Sequence, residues 1–264
     1  PHPPYIAPPE LFDKYYELLD KSDIEGWEAE NQISIHDKFR EKIQLDEVSH
    51  ENLHKARAAY YGLCEFLDQN IGKVIDSLVD NELMENTTII YISDHGEMLG
   101  EHGRWHKNCF YEESARVPFI IRRPENEDKS KDKNNRNLNL SRSEVVSLID
   151  LFPTLAEFAD IKVPFDIDGN SLVPLLNNPQ EPCEDWENIA KAEYYGPVSR
   201  MVRSGKWKLN YYSDEDIFEL FDLENDPDEK NNLAETPEGK EVINNLKEYI
   251  YNDGWAPGLY EKHN

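Results

Sequence analysis

Cysteine, basic residues and long apolar runs are all scarce in this 264-residue sequence. The three cysteines, Cys64, Cys109 and Cys183, are scattered and form no Cys-x-x-Cys pair, so they indicate neither a disulfide framework nor a zinc knuckle. No apolar run approaches the roughly 20 residues that a membrane-spanning helix requires. The sequence therefore predicts no membrane span and no cysteine-based scaffold.

The shortage of basic residues also bears on the partners of the protein. There are 28 Lys and Arg residues against 54 Asp and Glu residues, which gives a formal net charge of −26. A surface with this charge repels nucleic acid and anionic membranes, so neither is an expected partner. A small anionic ligand would need a local basic pocket, while solvation of the surface explains most of the acidic residues.

The middle of the chain has the apolar pattern of an α/β protein. From about Glu51 to Leu83 apolar residues recur at helical spacing, which predicts a long helix packed on a flat surface. The β-branched and aromatic run from Thr88 to Ile92 predicts a buried strand, and Val117 to Ile121 predicts a second strand. A helix, a turn and a buried strand in this order form an α/β unit, and a chain of this length can form one large domain of that class.

The segments on either side of this unit are less regular. Residues 1–46 are predicted to be mostly loop, with one short helix near Leu11. Residues 125–139 are almost entirely charged or polar and are predicted to form a solvated loop. Residues 143–161 are predicted to form a helix, in which Pro153 marks the first turn or a kink.

The last third of the chain has a pattern of its own. Short strand candidates alternate with turn residues, which predicts a small antiparallel sheet. A helix at Pro237 to Tyr251 is predicted to close it. We therefore expect two domains, residues 1–182 and residues 183–264.

A polar tripeptide follows the first predicted strand. Asp94, His95 and Gly96 come directly after it, and in open α/β sheets ligands bind beyond the carboxyl ends of the strands. The carboxylate of Asp94 is a hard oxygen ligand for a metal ion, and Gly96 leaves room for the backbone to turn. An Asp at such a position can equally cap a following helix, so a metal site and a helix cap are both open at this point.

The loop that follows is rich in glycine, histidine and cations. It lacks a regular apolar period, which favours a pocket-lining loop over a plain connection. Lys107, near its end, is the residue best suited to bind an anion, with a solvated surface lysine as the alternative. His102 and His106 are candidates for the pocket wall, with local hydrogen bonding as the alternative.

Two further groups of residues are candidates for supporting roles. Glu112 and Arg116 could form an ion pair that pins the loop carrying Lys107. Tyr194, Tyr195 and Arg200, in the predicted C-terminal sheet, could reach the mouth of the site, although packing within the sheet is the interpretation that we favour.

One long segment resembles a signature of a known enzyme family. The run from Asn86 to Gly103, which ends in Ser-Asp-His-Gly-Glu-Met-Leu-Gly-Glu-His-Gly, is followed by Lys107 and by Tyr111 to Pro118. It resembles the second signature of the formylglycine-dependent (type I) sulfatases. Within that family the sequence is most similar to the choline-sulfatase-like and iduronate-sulfatase-like branches. Other family-like segments occur in order along the chain: Pro1 to Tyr5, Asp68 to Gly72, Ile149 to Thr154, Asp168 to Leu172, and Leu220 to Pro227 with Asn231 to Leu233.

The resemblance implies a fold and a role for four residues. The fold is part of an alkaline-phosphatase-like α/β sandwich with a small C-terminal antiparallel sheet and a helix. Asp94 matches the family's calcium-ligating aspartate, and His95 falls on a second metal position, although an imidazole is an unusual ligand for a hard cation such as Ca2+. Lys107 matches a catalytic lysine that binds a sulfate oxygen beside the leaving group. His2 matches a histidine that contacts the sulfate and is a candidate general acid.

The nucleophile of the family is missing from this sequence. It is a formylglycine made from Cys or Ser in a Cys/Ser-x-Pro-x-Arg motif, and none of the three cysteines begins such a motif. Because the sequence starts at Pro-His-Pro-Pro without a methionine, we expect the N-terminal half of the enzyme to precede it or to lie on a partner chain. The chain alone is expected to be inactive, and the complete enzyme is expected to hydrolyse sulfate monoesters.

Two alternatives to this function remain open. A phosphonate monoester or phosphodiester hydrolase of the same superfamily would use a similar Asp-His-Gly-Glu loop, and a non-catalytic fragment would bind sulfated glycans or a partner chain without turnover.

The expected substrate is a sulfated small molecule or glycan, and residues 22–46 are the best candidates for contacting its alcohol portion. The resemblance favours a periplasmic or secreted location.

Overall fold

A computed structural model describes residues 1–20, 34–42, 45–124, 141–177, 182–194, 199–213 and 215–251 of the chain. The predicted polar loop at 125–139 lies outside the described residues, as do Tyr195 and much of the segment 22–46. No described helix is long and apolar enough to cross a membrane. The helices are α1 (Pro9–Leu18), α2 (Ser34–Lys42), α3 (His50–Asp80), α4 (Glu112–Ala115), α5 (Leu151–Phe158), α6 (Val173–Asn177) and α7 (Pro237–Tyr251). The strands are β1 (Ile89–Ile92), β2 (Phe119–Arg122), β3 (Ile189–Tyr194), β4 (Ser199–Ser204), β5 (Trp207–Tyr212) and β6 (Ile217–Asp222).

The chain divides into two compact units. Unit 1 comprises residues 1–107 and 113–127, and unit 2 comprises residues 108–112 and 128–264. The predicted domain boundary after residue 182 differs from this division and stays a prediction.

The long helix α3 confirms the helix predicted in the middle of the chain. Its first turn is capped by Ser49, whose hydroxyl oxygen accepts a hydrogen bond from the backbone N–H of Asn52 at 3.3 Å. Its N-terminal half packs on α1 and buries Leu53, Ala58 and Gly62. No residue of α3 after Gly62 is buried, although the helix is described throughout. Within the described part of the chain, the predicted apolar stripe is therefore fully buried only along the first half of the helix.

The opening segment contains more helix than its sequence indicated. The short helix predicted near Leu11 is confirmed as α1, but the loop prediction was wrong for α2 and for a 3-10 turn at Leu45–Glu47. Because Ile35 and Phe39 are the only apolar residues of α2, its apolar pattern is too short to predict a helix.

Strands β1 and β2 form a two-stranded antiparallel sheet in unit 1. Ile89 pairs with Arg122 at one end and Ile92 pairs with Phe119 at the other. The prediction that β1 is buried was wrong, because its residues are half-buried or exposed. A strand becomes fully buried when other elements cover both of its faces, and within the described residues β1 has β2 as its only strand partner.

Unit 2 contains the predicted small antiparallel sheet, with the strand order β3-β4-β5-β6. Gly205, at the predicted turn between β4 and β5, has a φ of +54°, a conformation that glycine adopts without strain. One face of the sheet packs on α7, the closing helix, which has the bounds predicted for it. This apolar core contains Val202, Leu209, Tyr211, Leu220, Ala234, Leu246 and Ile250.

The helix predicted at 143–161 is much shorter in the structure. Ser147 and Asp150 form a capping box around a 3-10 turn, and α5 follows it with Pro153 in its first turn. Asp150 also accepts a hydrogen bond from the backbone N–H of Asn170 at 2.8 Å, and Thr154 donates to the carbonyl oxygen of Asp150 at 2.6 Å. These side-chain bonds set the start of the helix several residues later than the apolar pattern suggested.

Candidate active site

The site begins where β1 ends. Ser93 donates from its hydroxyl to the carbonyl oxygen of His95 at 2.8 Å, and the backbone N–H of His95 donates to Oδ1 of Asp94 at 3.0 Å. These two bonds turn the chain sharply after the strand. The carboxylate of Asp94 is 86 % exposed as a result. The tripeptide therefore presents a free carboxylate at a strand end, and the structure has no long helix directly after it for Asp94 to cap.

Asp94 keeps its charge readily. The slight desolvation of this carboxylate acts to raise its pKa, but His95, two backbone N–H donors and Lys107 together lower the pKa of Asp94 below its usual value. The side chain is therefore an ionised oxygen donor at neutral pH.

The imidazole of His95 has a defined orientation. Its Nδ1 lies 2.7 Å from the carbonyl oxygen of Gly96, which can only accept, so Nδ1 carries the proton and Nε2 presents a lone pair. Nε2 lies 2.6 Å from Nζ of Lys107 and 3.7 Å from Oδ2 of Asp94. The same lone pair is thus available either to the ammonium group of Lys107 or to a metal ion beside Asp94.

His2 reaches the same ammonium group from the start of the chain. Its Nδ1 lies 2.8 Å from the carbonyl oxygen of Pro3, so its Nε2 also presents a lone pair, 3.3 Å from Nζ of Lys107. The rings of His2 and His95 are 6.3 Å apart between centroids. All four residues implied by the resemblance, His2, Asp94, His95 and Lys107, therefore lie together in unit 1, while their roles stay predictions.

Gly96 allows two backbone segments of unit 1 to come unusually close. Its N–H donates to the carbonyl oxygen of Ser114 at 2.7 Å, and a Cβ atom at this position would lie 2.0 Å from the carbonyl oxygen of Glu113. Ser114 in turn donates from its hydroxyl to the carbonyl oxygen of Lys107 at 2.7 Å. The sequence indicated only that Gly96 leaves room for a turn, whereas the structure makes it a link between Asp94-His95 and the backbone of Lys107.

The loop between Gly96 and Lys107 is a packed element. Leu99, His102 and His106 all have positive φ values, which are uncommon for residues other than glycine. Burial of Leu99 and Trp105 in the core of unit 1 holds the loop in this conformation. Glu97 closes it by accepting a hydrogen bond from the backbone N–H of His106 at 2.5 Å. Glu97 is a residue that sequence reasoning missed, because nothing in its pattern distinguishes it from a solvated acid.

The donor set for a metal ion is partial. Asp94 offers a carboxylate and His95 a nitrogen lone pair, but the described residues contain no group of three or more His, Cys, Asp or Glu side chains that could hold a metal ion. Calcium takes about six to eight oxygen ligands. Asp94 fits such a site as one ligand, and the other ligands would have to come from outside the described part of the chain.

Some supporting residues differ from their predicted roles. Glu112 forms ion pairs with Lys208 and Arg203 of unit 2. The sequence analysis named Arg116 as its candidate partner. Arg200 is buried in unit 2 and donates to the carbonyl oxygen of Ile250, which agrees with the packing role that we favoured for it.

Comparison with the profiles of known protein families assigns this chain to one of them. The sulfatase family profile matches residues 1–161, and the profile described as N-sulphoglucosamine sulphohydrolase, C-terminal, matches residues 100–253. The first match alone covers more than half of the chain. The chain belongs to the sulfatase family, and its fold is that of the alkaline-phosphatase-like enzymes among its structural relatives.

Individual relatives give the same result. The chain is 35 % identical over 249 residues to the choline-sulfatase of Rhizobium meliloti. The aligned region covers 90 % of this chain and 45 % of that protein. It is similar to a protein solved in complex with its substrate D-glucosamine-2-N,6-O-disulfate, at 29 % identity and a TM-score of 0.63, over 83 % of this chain and 47 % of that one. It is also similar to the phosphonate monoester hydrolase of Agrobacterium radiobacter, at 26 % identity and a TM-score of 0.65, over 77 % of this chain and 42 % of that one. The chain thus spans about half the length of the relatives it matches.

Proposed function

We propose that the complete protein containing this chain hydrolyses sulfate monoesters. The observation that carries the proposal is the convergence of His2, His95 and Lys107 beside Asp94, in a chain that belongs to the sulfatase family. An ammonium group that lies within 3.3 Å of two imidazole nitrogens suits a small tetrahedral anion, because one oxygen of the anion can replace an imidazole as the acceptor of its hydrogen bond.

Lys107 and His2 have distinct parts in this proposal. The ammonium group of Lys107 stabilises the negative charge that develops on the sulfate oxygens and the leaving oxygen. His2 can act as general acid only if its Nε2 atom, which faces Lys107, carries a proton. That proton would pass to the departing alcohol oxygen, which would leave Nε2 as a hydrogen-bond acceptor facing Lys107.

A metal ion and a nucleophile complete the proposed site. Asp94, and His95 through its Nε2 lone pair, would hold a divalent metal such as Ca2+, which supplies fixed positive charge beside the sulfate oxygens. Ligation by His95 requires its Nε2 to leave Lys107, so the 2.6 Å contact between them and metal binding exclude each other. The nucleophile, a formylglycine, would come from the half of the sulfatase domain that these 264 residues do not include.

The proposed substrate is a sulfated small molecule or a sulfated sugar. Two comparisons support this class: a choline-sulfatase, and a protein bound to a disulfated glucosamine. The proposed partner of the chain is the other half of the sulfatase domain, and the proposed location is the periplasm or the cell exterior.

Hydrolysis of phosphonate monoesters is the second candidate function. It is favoured by the likeness to the phosphonate monoester hydrolase, which is as high in TM-score as the likeness to the sulfatase bound to its substrate. Both reactions transfer a tetrahedral anionic group beside a metal, so the described site is compatible with either.

The test is an activity assay on the full-length product of the gene. We expect hydrolysis of 4-nitrophenyl sulfate in preference to a 4-nitrophenyl phosphonate ester, dependence on added calcium after EDTA treatment, and a loss of about a hundredfold or more in kcat for Lys107→Ala. Lys73→Ala, which removes an exposed lysine of α3, is the control and should leave kcat unchanged. A preference for the phosphonate ester would support the second candidate, and full activity of Lys107→Ala would rule out the proposed site.

A further inference from the structure

The segment that follows Lys107 in the chain, Asn108–Glu112, belongs to unit 2 and packs on its four-stranded sheet. Cys109, Phe110 and Tyr111 are buried there. The ring of Phe110 lies 6.3 Å from that of Tyr212, and the ring of Tyr111 lies 6.0 Å from that of Phe221. The segment is therefore part of the core of unit 2, on the face of the sheet that α7 leaves free.

Tyr111 is also fixed by a buried hydrogen bond. Its hydroxyl donates to Oε1 of Glu219 at 3.0 Å, and the hydroxyl of Tyr212 donates to the other oxygen of Glu219 at 2.9 Å. Burial, and then the nearby Glu219 carboxylate, raise the pKa of Tyr111 above its usual value. Tyr111 therefore stays protonated at neutral pH and can donate to Glu219.

The end of the segment is held by charge. Lys208 on β5 is 0 % exposed, and its Nζ lies 3.0 Å from Oε1 of Glu112 and 2.8 Å from Oε1 of Glu229. Glu229 also accepts a hydrogen bond from the backbone N–H of Glu112 at 2.6 Å, and the second oxygen of Glu112 pairs with Arg203 at 3.2 Å. We call this group of four residues the Lys208 clamp: Glu112, Arg203, Lys208 and Glu229.

The clamp fixes backbone as well as side chains. A buried lysine is costly to desolvate, and apolar residues of similar size would often give a sheet equal or greater stability. What apolar residues would not provide is a directional bond to the N–H of Glu112, which determines where the segment ends and how it is oriented. The carbonyl oxygen of Lys107, in unit 1, is separately held by the hydroxyl of Ser114. The backbone of Lys107 thus has a fixed hydrogen bond of its own and is followed directly by a fixed segment.

We propose that Lys208 is a positioning residue for Lys107: by clamping Glu112 it fixes the five-residue segment that follows Lys107 in the chain. The inference rests on the proposed function of Lys107 in binding the sulfate group. It assigns to a buried lysine of the C-terminal sheet an effect on catalysis, although that lysine does not touch the substrate. A displacement of about 1 Å at a reacting group can cost roughly a hundredfold in rate, so a small shift of the segment is sufficient.

Two variants of the full-length gene product test the proposal. Lys208→Met removes the cation but leaves the side chains of Glu112 and Glu229 without it. The double variant Lys208→Met/Glu229→Gln removes one charge of each sign, so that Glu112 keeps Arg203 as its partner and the cluster stays neutral. Lys206→Met is the matched control, because Lys206 pairs with Asp222 at 2.6 Å in the same sheet and is not part of the clamp.

The measurements are kcat and KM for 4-nitrophenyl sulfate, the inhibition constant of inorganic sulfate, and the melting temperature. For the folded double variant we expect kcat to fall about tenfold to a hundredfold and the inhibition constant of sulfate to rise, with a melting temperature close to that of the parent. Lys206→Met should stay within twofold of the parent in every measurement. A folded double variant with unchanged kcat and unchanged sulfate inhibition would overturn the proposal, and so would failure of both clamp variants to fold, since the clamp would then serve folding alone.

A structural measurement separates this proposal from the proposed function. Hydrogen exchange of a peptide spanning residues 105–108 should be faster in the double variant than in the parent or in Lys206→Met. If the parent hydrolyses no sulfate ester, the proposed function fails, and the positioning role is then judged by exchange alone. Unchanged exchange in the double variant would overturn it.

Discussion

Lys107 is held by contacts that leave its charge available. Its Nζ donates toward Nε2 of His95 and of His2, and both rings have their other nitrogen committed to a backbone carbonyl oxygen. Neither imidazole brings a negative charge to the ammonium group, as a carboxylate would. The positive charge is therefore free to stabilise an anion that enters beside Asp94.

Gly96 is the residue on which the backbone arrangement of this site depends most directly. Gly96→Ala is expected to lower the free energy of unfolding by about 3 kcal/mol or more, because the added Cβ would lie 2.0 Å from the carbonyl oxygen of Glu113. Gly72→Ala is the matched control. Gly72 lies within α3 with open space around its Cβ position, so alanine should raise the free energy of unfolding by about 0.5–1 kcal/mol.

Urea denaturation of the two variants and the parent, followed by circular dichroism, measures both effects. Equal stability of Gly96→Ala and the parent would show that the segments joined by Gly96 can separate without cost. It would also remove Gly96 as the link between Asp94-His95 and the backbone of Lys107.

At the scale of elements, the four-stranded sheet of unit 2 has two buried faces of different character. Side chains alternate between the faces of a strand, so on β5 Leu209 and Tyr211 face the apolar core with α7, while Lys208 and Asn210 face the other side. That second face carries polar side chains beside the aromatic rings of Tyr212 and Phe221, and Lys208 and Asn210 are fully buried on it. It holds the segment after Lys107 through specific bonds, and the apolar face provides most of the hydrophobic stabilisation.

The polar face makes the stability of unit 2 depend on pH. Burial raises the pKa of Glu229 to about 7 from its usual 4.5, against the opposing effect of Lys208. Between these two pH values the folded protein binds more protons than the unfolded chain, so the free energy of unfolding falls as the pH rises from about 4.5 to about 7. The shift corresponds to a change on the order of 3 kcal/mol over this range.

Glu229→Gln should remove this contribution and flatten the dependence of stability on pH. The measurement is urea denaturation at a series of pH values from 4 to 8. Glu235→Gln, which alters an exposed carboxylate paired with Lys240, is the control and should keep the slope of the parent. If the two variants show the same slope, the carboxyl group of Glu229 titrates near its usual pKa and the burial argument for it is wrong.

At the scale of the whole molecule, the described residues expose large apolar side chains in both units. In unit 1, Val74 on α3 is 63 % exposed, and in unit 2, Phe152 on α5 is 54 % exposed. Single exposed apolar residues are ordinary, but several on one helix are a feature of surfaces that bind another protein segment. Other exposed apolar residues are Leu67, Val79 and Leu83 in unit 1, with Ile149, Leu155, Ile161 and Phe165 in unit 2.

The 264-residue chain, produced by itself, is therefore expected to bind a hydrophobic dye and to self-associate. Val74→Lys and Phe152→Lys should each lower dye binding and shift the elution of the chain toward the monomer. Ser77→Lys introduces the same charge at an exposed polar position of α3 and should leave both properties unchanged. The measurements are dye fluorescence and gel filtration with light scattering. A monomeric parent chain with weak dye binding would contradict the expectation.

Patterns local in the sequence determined the elements and the chemistry of this protein. Apolar periodicity was sufficient for α3, α7 and the C-terminal sheet, because each of these elements buries a regularly spaced face. The segment from Asn86 to Gly103, with Lys107 and Tyr111 to Pro118, was sufficient for the sulfatase resemblance. The same local patterns gave the wrong burial for β1 and missed α2, because burial depends on which other elements are present and α2 has almost no apolar face.

Only the tertiary structure decided how distant residues meet. Nε2 of His2 lies 3.3 Å from Nζ of Lys107, although 105 positions separate the two residues in the chain. No local sequence pattern predicts a contact between residues so far apart. The partners of Glu112, the close approach at Gly96 and the burial of Lys208 were decided in the same way. A sequence pattern reports the preference of a residue for its neighbours in the chain, whereas these contacts depend on packing and on the pairing of buried charges. The four site residues therefore stay predictions of the sequence, whereas the network that holds Lys107 is visible only in the structure.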